Sequence, residues 1–237
     1  MNEEQRIAWI LGGSRGIGFA CAEALAKEGY RLALSSRNEA QLAEAIAKLP
    51  GEDAKAIVCD ITIEESVKSA HARIVSEFGT APHLLINSAG ISPWSTFSET
   101  STEEFDSVIA TNTRGIFLTS REVLSAMYER TEGAIVQVLS VASIKAYRNG
   151  AAYVASKFAA LGFTNALREE ARAHGVRVIA VLPGATETEL WDHASRTEFH
   201  DRMMQPEDIA MAIVHALKQP SRALIEEILI RPIGGDL

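Results

Sequence analysis

The chain has 237 residues, a formal net charge of −8, and apolar and charged fractions typical of a soluble globular protein. The acidic balance argues against non-specific binding of nucleic acid, which requires a basic surface. Cys21 and Cys59 are the only cysteines, too few for a disulfide framework or a cysteine-built zinc site. Because no secretory signal and no bilayer-spanning apolar stretch is visible, we expect a cytoplasmic protein that does not contact membranes.

Short apolar runs alternate with longer helical segments along the chain. The predicted strands cover residues 6–11, 31–36, 54–60, 83–90, 133–140, 176–184 and 226–232. The predicted helices cover a segment that ends near residue 28, and then residues 38–49, 64–78, 101–110, 114–128, 150–174 and 206–217.

The predicted strands are nearly continuous apolar runs, which indicates burial on both faces. Such strands, separated by helices, predict an α/β fold of the Rossmann type, a doubly wound parallel sheet of about seven strands with helices on both faces. No linker, repeat or low-complexity segment divides the chain. We therefore expect a single domain over residues 1–237.

A glycine-rich loop within LGGSRGIGFA follows the first strand. Its Gly12, Gly16 and Gly18 stand between a strand and a helix. There, glycine permits a tight turn and a close approach of the backbone, and the helix N-terminus favours an anion. An ordinary strand–helix turn explains these glycines equally well, so the loop alone does not identify a nucleotide site.

The end of the second strand favours a phosphorylated dinucleotide. Dinucleotide sites commonly carry an acidic residue there to hold the ribose hydroxyls, whereas this chain has Ser35, Ser36 and Arg37. Arg37 and Arg15 of the glycine-rich loop are suited to neutralise a 2′-phosphate, because guanidinium binds phosphate through forked donors. This pattern predicts NADP(H) over NAD(H); the alternative is that both arginines are merely solvated.

Tyr153 and Lys157 are four residues apart in an alanine-rich helix and therefore share one face. The pKa of a free phenol is near 10, too high for efficient proton transfer at neutral pH. A cation about 4 Å away, at an effective dielectric constant near 20, would lower that pKa by about three units, with desolvation opposing part of the change. The spacing predicts an acid/base pair, although Tyr-x-x-x-Lys also occurs by chance on helix surfaces.

Polar residues near the predicted sheet edge extend this hypothesis. Ser140 ends a strand, so its hydroxyl would emerge where ligands bind in such folds and could polarise a substrate carbonyl. Asn112, in the helical region before that strand, could hold water against Lys157, or it could be a cap or kink residue. Asp60 and the NSAG turn from Asn87 could contact the adenosine half of a dinucleotide, or serve only as strand-end turns.

Motifs along nearly the whole chain resemble those of the classical short-chain dehydrogenase/reductase family: GGSRGIG, CD at 59–60, NSAG, TNTRG, LSVAS, YVASK and LPGATET. The resemblance implies a catalytic set of Asn112, Ser140, Tyr153 and Lys157. It also implies cofactor contacts from Gly12, Ser14, Arg15, Gly16, Ile17, Gly18, Arg37, Asp60, Ile61, Asn87, Ala89, Gly90, Tyr153, Lys157, Pro183, Gly184, Thr186 and Thr188. Within the family, the chain looks most similar to 3-oxoacyl-[acyl-carrier-protein] reductase-like members. Relatives pair through the two long helices, which implies a homodimer or homotetramer.

The Thr/Glu-rich segment 186–204 follows the residues that resemble the nicotinamide-binding segment, so we expect a substrate lid near residues 185–205. Trp94 and Trp191 would line the same pocket, or else pack in the core or the lid. His193 and His200 lie in this segment beside several carboxylates, but their spacing matches no zinc signature, and we expect no metal.

These features together predict an NADPH-dependent oxidoreductase that reduces a ketone, aldehyde or 3-oxoacyl group to an alcohol, or catalyses the reverse. Ser140 would hold the carbonyl oxygen, Tyr153 would protonate it, and Lys157 would lower the phenol pKa and bind the nicotinamide ribose. The alternative is a non-catalytic NADP(H)-binding regulatory protein of the same fold. A methyltransferase is a weaker rival, because its cofactor lacks the phosphate that the arginines match. The expected partner is a small carbonyl or alcohol, and not nucleic acid.

Overall fold

The computed structural model describes residues 6–51, 53–220 and 222–237. The strands are β1 (Ile7–Leu11), β2 (Arg31–Ser36), β3 (Ala54–Val58), β4 (Leu84–Asn87), β5 (Gly133–Val138), β6 (Val176–Pro183) and β7 (Glu227–Ile230). The α-helices are α1 (Gly16–Lys27), α2 (Glu39–Lys48), α3 (Glu64–Phe78), α4 (Thr102–Ile109), α5 (Gly115–Arg130), α6 (Ala151–Arg172), α7 (His193–Phe199) and α8 (Pro206–Leu217).

The seven strands form one parallel sheet in the order β3-β2-β1-β4-β5-β6-β7, which confirms the predicted fold class. Every residue of β1 and β5 is buried, which explains why these strands are apolar runs without alternation. The order of the strands reverses between β1 and β4. In open sheets of this kind, the crevice at the carboxyl ends beside such a reversal is where ligands bind.

The core has one layer on each face of the sheet. Ile10 of β1 packs in the layer that includes Leu25 of α1 and Ile213 of α8. Its neighbour Trp9 faces the opposite layer, with Val123 of α5. Adjacent strand residues point to opposite faces, so each central strand contributes to both layers.

Two helical features differ from the predicted elements. Helix α7 lies inside the polar segment 186–204, where no helix was predicted; its start is stabilised by Asp192, whose carboxylate accepts a hydrogen bond from the Ser195 backbone at 3.0 Å. A π-helical segment, Ala110–Arg114, joins α4 to α5 where the sequence predicts a break. No helix in the described part of the chain is long and apolar enough to cross a membrane.

Candidate active site

Two cavities meet at the carboxyl edge of the sheet. The first, of about 950 Å³, lies over the glycine-rich loop and the ends of β2 and β4, and is called the cofactor cleft below. The second, of about 780 Å³, lies under the segment that contains α7, and is called the substrate pocket. Tyr153, Ile17, Leu139 and Thr188 line both. The Tyr153 side chain can therefore contact a molecule bound in either cavity.

The glycine-rich loop is shaped by close backbone contacts. Gly12 has a φ of 74°, and a Cβ there would lie 2.8 Å from the Ala89 backbone nitrogen. A Cβ at Gly18 would lie 2.2 Å from the Gly12 carbonyl oxygen. Only glycine satisfies both positions without moving the chain. Gly18 therefore packs beneath the loop and does not line the cleft.

The loop leads into a helix end suited to an anion. Arg15 occupies the N-cap of α1 without a side-chain capping bond, and the first turn holds no acidic residue. The first N–H groups of such a helix have no intrahelical partner and carry a partial positive charge. Ser14, Arg15, Gly16 and Ile17 all line the cleft.

Arg15 and Arg37 are exposed and line the same cleft. Within the described part of the chain, neither guanidinium makes a hydrogen bond or an ion pair. The cleft also contains Glu39, Asp60 and Glu189, so its lining is not uniformly basic. The two unpaired arginines, Arg15 in the β1–α1 turn and Arg37 directly after β2, match a phosphate on the ribose that approaches the end of β2.

The end of β3 has the geometry of a strand-end turn. Asp60 Oδ1 accepts hydrogen bonds from the Thr62 backbone at 2.9 Å and from the Thr62 hydroxyl at 2.7 Å. This is the turn chemistry that was the alternative for Asp60. Asp60 and Ile61 nevertheless line the cleft, so the turn presents them to a ligand rather than removing them from it.

The side chain of Asn87 is held inside the sheet layer. Its amide donates to Gln137 at 2.9 Å and accepts from Thr119 at 2.8 Å, and the residue is 2% exposed. The side chain is absent from the cleft lining because these buried bonds hold it inside the sheet layer, whereas Ala89 and Gly90 of the same turn do line the cleft. Asn87 thus shapes the turn from within.

Tyr153 and Lys157 lie one turn apart on α6, both buried, with the Lys157 Nζ 5.6 Å from the centre of the Tyr153 ring. The Lys157 Nζ donates to the Val138 carbonyl at the end of β5, at 3.3 Å. The neighbouring Trp94 ring lies 6.0 Å from the Tyr153 ring. The pair therefore projects from α6 toward the sheet edge and does not lie on the protein surface.

Burial dominates the pKa of both groups. It lowers the pKa of Lys157 from 10.5 to about 8. It raises the pKa of Tyr153 above the usual value of a phenol, and only the neighbouring Ser140 hydroxyl opposes this in part. In the protein without cofactor, desolvation thus outweighs any lowering of the phenol pKa by Lys157, because burial disfavours charge on each of the two groups.

Ser140 and Ser143, which both follow β5, are in different surroundings. Ser140 lines the substrate pocket, and its Oγ accepts a hydrogen bond from the Ala142 backbone at 3.0 Å. Ser143 is 1% exposed and lines neither cavity. Ser140 is thus the hydroxyl that a bound molecule can reach.

Asn112 lies in the π-helical segment and is 2% exposed. Its Nδ2 donates to the Ile91 carbonyl at 2.8 Å and to the Ser156 hydroxyl at 3.0 Å, and its Oδ1 accepts from the Ile91 backbone at 2.9 Å. Such π segments are frequent at functional sites. The amide fastens the loop after β4 to α6, beside Lys157, although it lines neither cavity itself.

The substrate pocket has aromatic walls. Trp94 and Trp191 both line it, which decides between the two alternatives for these residues. Pro183, Gly184 and Thr186 line it too, close to Thr188, which lines both cavities.

The segment over the pocket is tied at its base. The Met204 backbone N–H donates to the Ala185 carbonyl at 3.0 Å, and the Glu187 backbone N–H donates to the Met204 carbonyl at 2.9 Å. His200 pairs with Glu187 at 2.7 Å, and Asp192 caps α7. Among the residues that the structure describes, no three histidine, cysteine or acidic side chains converge as metal ligands.

Comparison with known proteins agrees with this geometry. The family model described as short chain dehydrogenase matches residues 6–198. The chain belongs to the short-chain dehydrogenase family. A sepiapterin reductase of Chlorobaculum tepidum is 34% identical, over 98% of each chain. An uncharacterised oxidoreductase of Staphylococcus saprophyticus is 32% identical, over 97% of this chain and 98% of its own.

Solved structures of short-chain dehydrogenases superpose closely on the fold. An actinorhodin polyketide ketoreductase variant, crystallised with NADPH, gives a TM-score of 0.89 at 28% identity, and 96% of each chain is covered. An alcohol dehydrogenase from the archaeon Thermococcus sibiricus, complexed with 5-hydroxy-NADP, gives 0.85 at 28% identity, with 97% of each chain covered.

Several pocket residues of this short-chain dehydrogenase carry no sequence signal. Tyr147 and Asp236 line the substrate pocket, and Asp236 pairs with Lys145 at 2.6 Å across 91 positions of the chain. Burial and Asp236 together raise the pKa of Tyr147 to about 12. Only the folded chain brings these residues together, because no spacing rule links the end of the chain to the β5–α6 connection.

Proposed function

We propose that this short-chain dehydrogenase is an NADPH-dependent carbonyl reductase, which converts a ketone or aldehyde to an alcohol by hydride transfer or catalyses the reverse reaction. The position of Tyr153 carries this proposal. Its phenol lines both cavities, with Lys157 one turn away and Ser140 in the adjoining pocket wall. A proton donor at the junction of two cavities is what a reaction between two bound molecules requires.

The residues of the cofactor cleft fit NADP(H). Gly12 lets the backbone approach, the uncapped start of α1 suits the pyrophosphate, and Arg15 and Arg37 suit the 2′-phosphate. The nucleotide in the two solved relatives supports this choice, since their structures contain NADPH and 5-hydroxy-NADP.

Each side chain has a role that follows from its surroundings. The bound nicotinamide supplies or accepts the hydride at the substrate carbon. Ser140 donates a hydrogen bond to the carbonyl oxygen, and Tyr153, which is protonated at neutral pH like any phenol and whose pKa is raised further by burial, gives that oxygen its proton. Lys157 is a buried cation below about pH 8 and stabilises negative charge that develops on the phenol. Asn112 holds the loop beside Lys157, where water could return a proton to the site.

The test is loss of NADPH absorbance with a panel of ketones, aldehydes and 3-oxoacyl thioesters. Tyr153→Phe removes only the hydroxyl, and we expect kcat to fall by at least about a hundredfold while NADPH binding persists. Tyr128→Phe is the matched control, because that tyrosine stacks on His174 at 3.9 Å, outside both cavities. Retained turnover in Tyr153→Phe would remove the phenol from its role. Binding of NADPH without turnover of any carbonyl would favour the non-catalytic alternative.

The cofactor preference has its own test. Arg37→Ala should raise the KM for NADPH about tenfold and leave the KM for NADH nearly unchanged, because only the former carries the 2′-phosphate. Arg222→Ala, an exposed arginine outside the cleft, controls for the change in net charge. An equal effect of Arg37→Ala on both cofactors would contradict the assignment.

Further features of the protein belong to the same proposal. The chain acts as a single domain in the cytoplasm, the segment near 185–205 is a lid over the substrate, and two or four copies assemble through the long helices. Exposed aromatic residues on those helices, Phe117 and Phe158, support the assembly. A 3-oxoacyl group on a carrier protein stays among the candidate substrates, and the panel above includes thioesters for that reason.

A further inference from the structure

Of the described residues that line the substrate pocket, three have charged side chains: Arg148, Asp192 and Asp236. The two carboxylates have hydrogen-bond or ion-pair partners within the protein, whereas the arginine has none among the described residues. A charge that already has partners contributes little to the recognition of a ligand, whereas an unpaired charge in a concave site selects a ligand of opposite sign.

Both carboxylates are engaged within the protein. Asp192 accepts from the Ser195 backbone at 3.0 Å and from the Ser195 hydroxyl at 2.6 Å, and so caps α7. Asp236 pairs with Lys145 at 2.6 Å and lies 3.8 Å from the Arg231 guanidinium. These contacts hold the pKa of each carboxyl below its ordinary value, and the oxygens serve to fix the pocket walls.

Arg148 is in the opposite situation. Its side chain is exposed, and within the described residues it makes no hydrogen bond, ion pair or ring contact. It lies on the connection between β5 and α6, next to Tyr147 of the pocket wall. Asn149, the following residue, has a φ of 60° and accepts a hydrogen bond at 2.9 Å from Ser95, beside Trp94. The backbone of this connection is therefore tied to the loop that carries Trp94.

The start of α6 supplies no counter-ion for Arg148. Helix α6 begins at Ala151, three positions later, and its first turn holds no acidic residue. The rest of the wall is largely apolar, with the rings of Trp94 and Trp191. The pocket thus combines apolar walls with one unpaired cation.

We propose that the substrate is a carbonyl compound with an apolar, ring-like body and one anionic group, a carboxylate or phosphate, and that Arg148 is the specificity-determining residue that binds the anion. This inference depends on the proposed carbonyl reduction and adds the substrate class to it. The charge of the protein as a whole is negative, so an anionic substrate is held by this local cation and not by the overall field.

The experiment uses matched probes, 3- and 4-formylbenzoate and their methyl esters, with NADPH as reductant. Each acid and its methyl ester form one pair, and for the wild type we expect the KM of the acid to be lower than that of the ester in at least one of the two pairs. Arg148→Gln should raise the KM for that acid about fivefold, with kcat and the KM for the ester little changed, because an exposed ion pair contributes at most about this much. Arg148→Lys should restore part of the preference, and Arg222→Gln controls for net charge.

A second measurement does not depend on turnover. Trp94 and Trp191 line the pocket, so tryptophan fluorescence should report the binding of the formylbenzoates in the presence of NADP⁺. Weaker binding of the acid to Arg148→Gln, with unchanged binding of the ester, supports the inference even if no probe is reduced. A lack of reduction would count against the proposed reduction of these probes and not against the binding of the anion by Arg148. Equal acid-to-ester ratios in wild type and Arg148→Gln, in both measurements, would overturn it.

Discussion

Burial of the Lys157 ammonium should make the protein less stable than it would be with an apolar residue at that position. The pKa of Lys157 is lowered from 10.5 to about 8 by desolvation. At about 1.4 kcal/mol for each pKa unit, this difference corresponds to about 3 kcal/mol of unfavourable free energy in the folded state. Lys157→Met keeps the length of the side chain and removes the charge, so we expect the variant to unfold at higher urea concentration near neutral pH.

The direction in which stability changes with pH depends on how many protons Lys157 binds in the folded and in the unfolded state. Below about pH 8, both states carry a protonated lysine, and the full cost is present. Between the folded and unfolded pKa values, the unfolded state binds more protons, so the stability of the wild type rises with pH. The advantage of Lys157→Met should therefore shrink from about 3 kcal/mol near pH 7 to about 2 kcal/mol near pH 9 and below about 1 kcal/mol near pH 10.

The assay is urea unfolding of both proteins without cofactor, followed by circular dichroism at each pH. Loss of the hydrogen bond to the Val138 carbonyl shifts the variant by a constant amount, so the change with pH is the diagnostic quantity. Lys55→Met, at an exposed position of β3, is the matched control and should show no such change. A difference in stability between wild type and Lys157→Met that is the same at every pH would refute the reasoning.

Three further predictions concern turnover, the glycine-rich loop and assembly. The kcat/KM for carbonyl reduction should fall above about pH 8, because Lys157 then loses its proton, and a profile that stays flat to about pH 10 would contradict this. Gly12→Ala should lower the unfolding free energy by about 1–3 kcal/mol and weaken NADPH binding, because the φ of Gly12 is 74° and a Cβ there would lie too close to the Ala89 backbone. Calorimetry would measure the first effect and fluorescence titration the second. Wild-type values for both would show that the loop tolerates a Cβ. Phe158→Glu, at a ring 47% exposed on α6, should reduce the oligomer to a smaller species in sedimentation velocity, and an unchanged sedimentation coefficient would place the interface elsewhere.

The elements of the fold were predictable because burial and periodicity agree along the chain. The predicted bounds of β2, α3 and α8 are those of the structure, since each is delimited by turn or capping residues and has a strong apolar pattern. Helix α7 was missed because it is short and has no buried residue, so it lacks the apolar stripe that identifies a helix.

Spacing indicates which residues of the candidate site share a face, but it does not indicate their pKa values. Spacing placed Tyr153 and Lys157 on one face, and the structure agrees, but spacing does not report burial. The pKa of the phenol depends on two opposing effects, and desolvation prevails only because α6 packs against the sheet edge. The same limit applies to Asn87, whose surroundings are set by Gln137, a residue 50 positions away.

The π-helical segment Ala110–Arg114 places one surplus residue in an otherwise continuous helical rod from Thr102 to Arg130. A π-helical turn accommodates that residue by widening locally, so deletion of a single residue there would leave a regular α-helical turn. If the deleted residue is Asn112, the loop beside Lys157 loses the hydrogen bonds that this amide makes to Ile91. The number of residues in this stretch is thus itself constrained, and a systematic deletion library should find this short window among the least permissive of the whole chain.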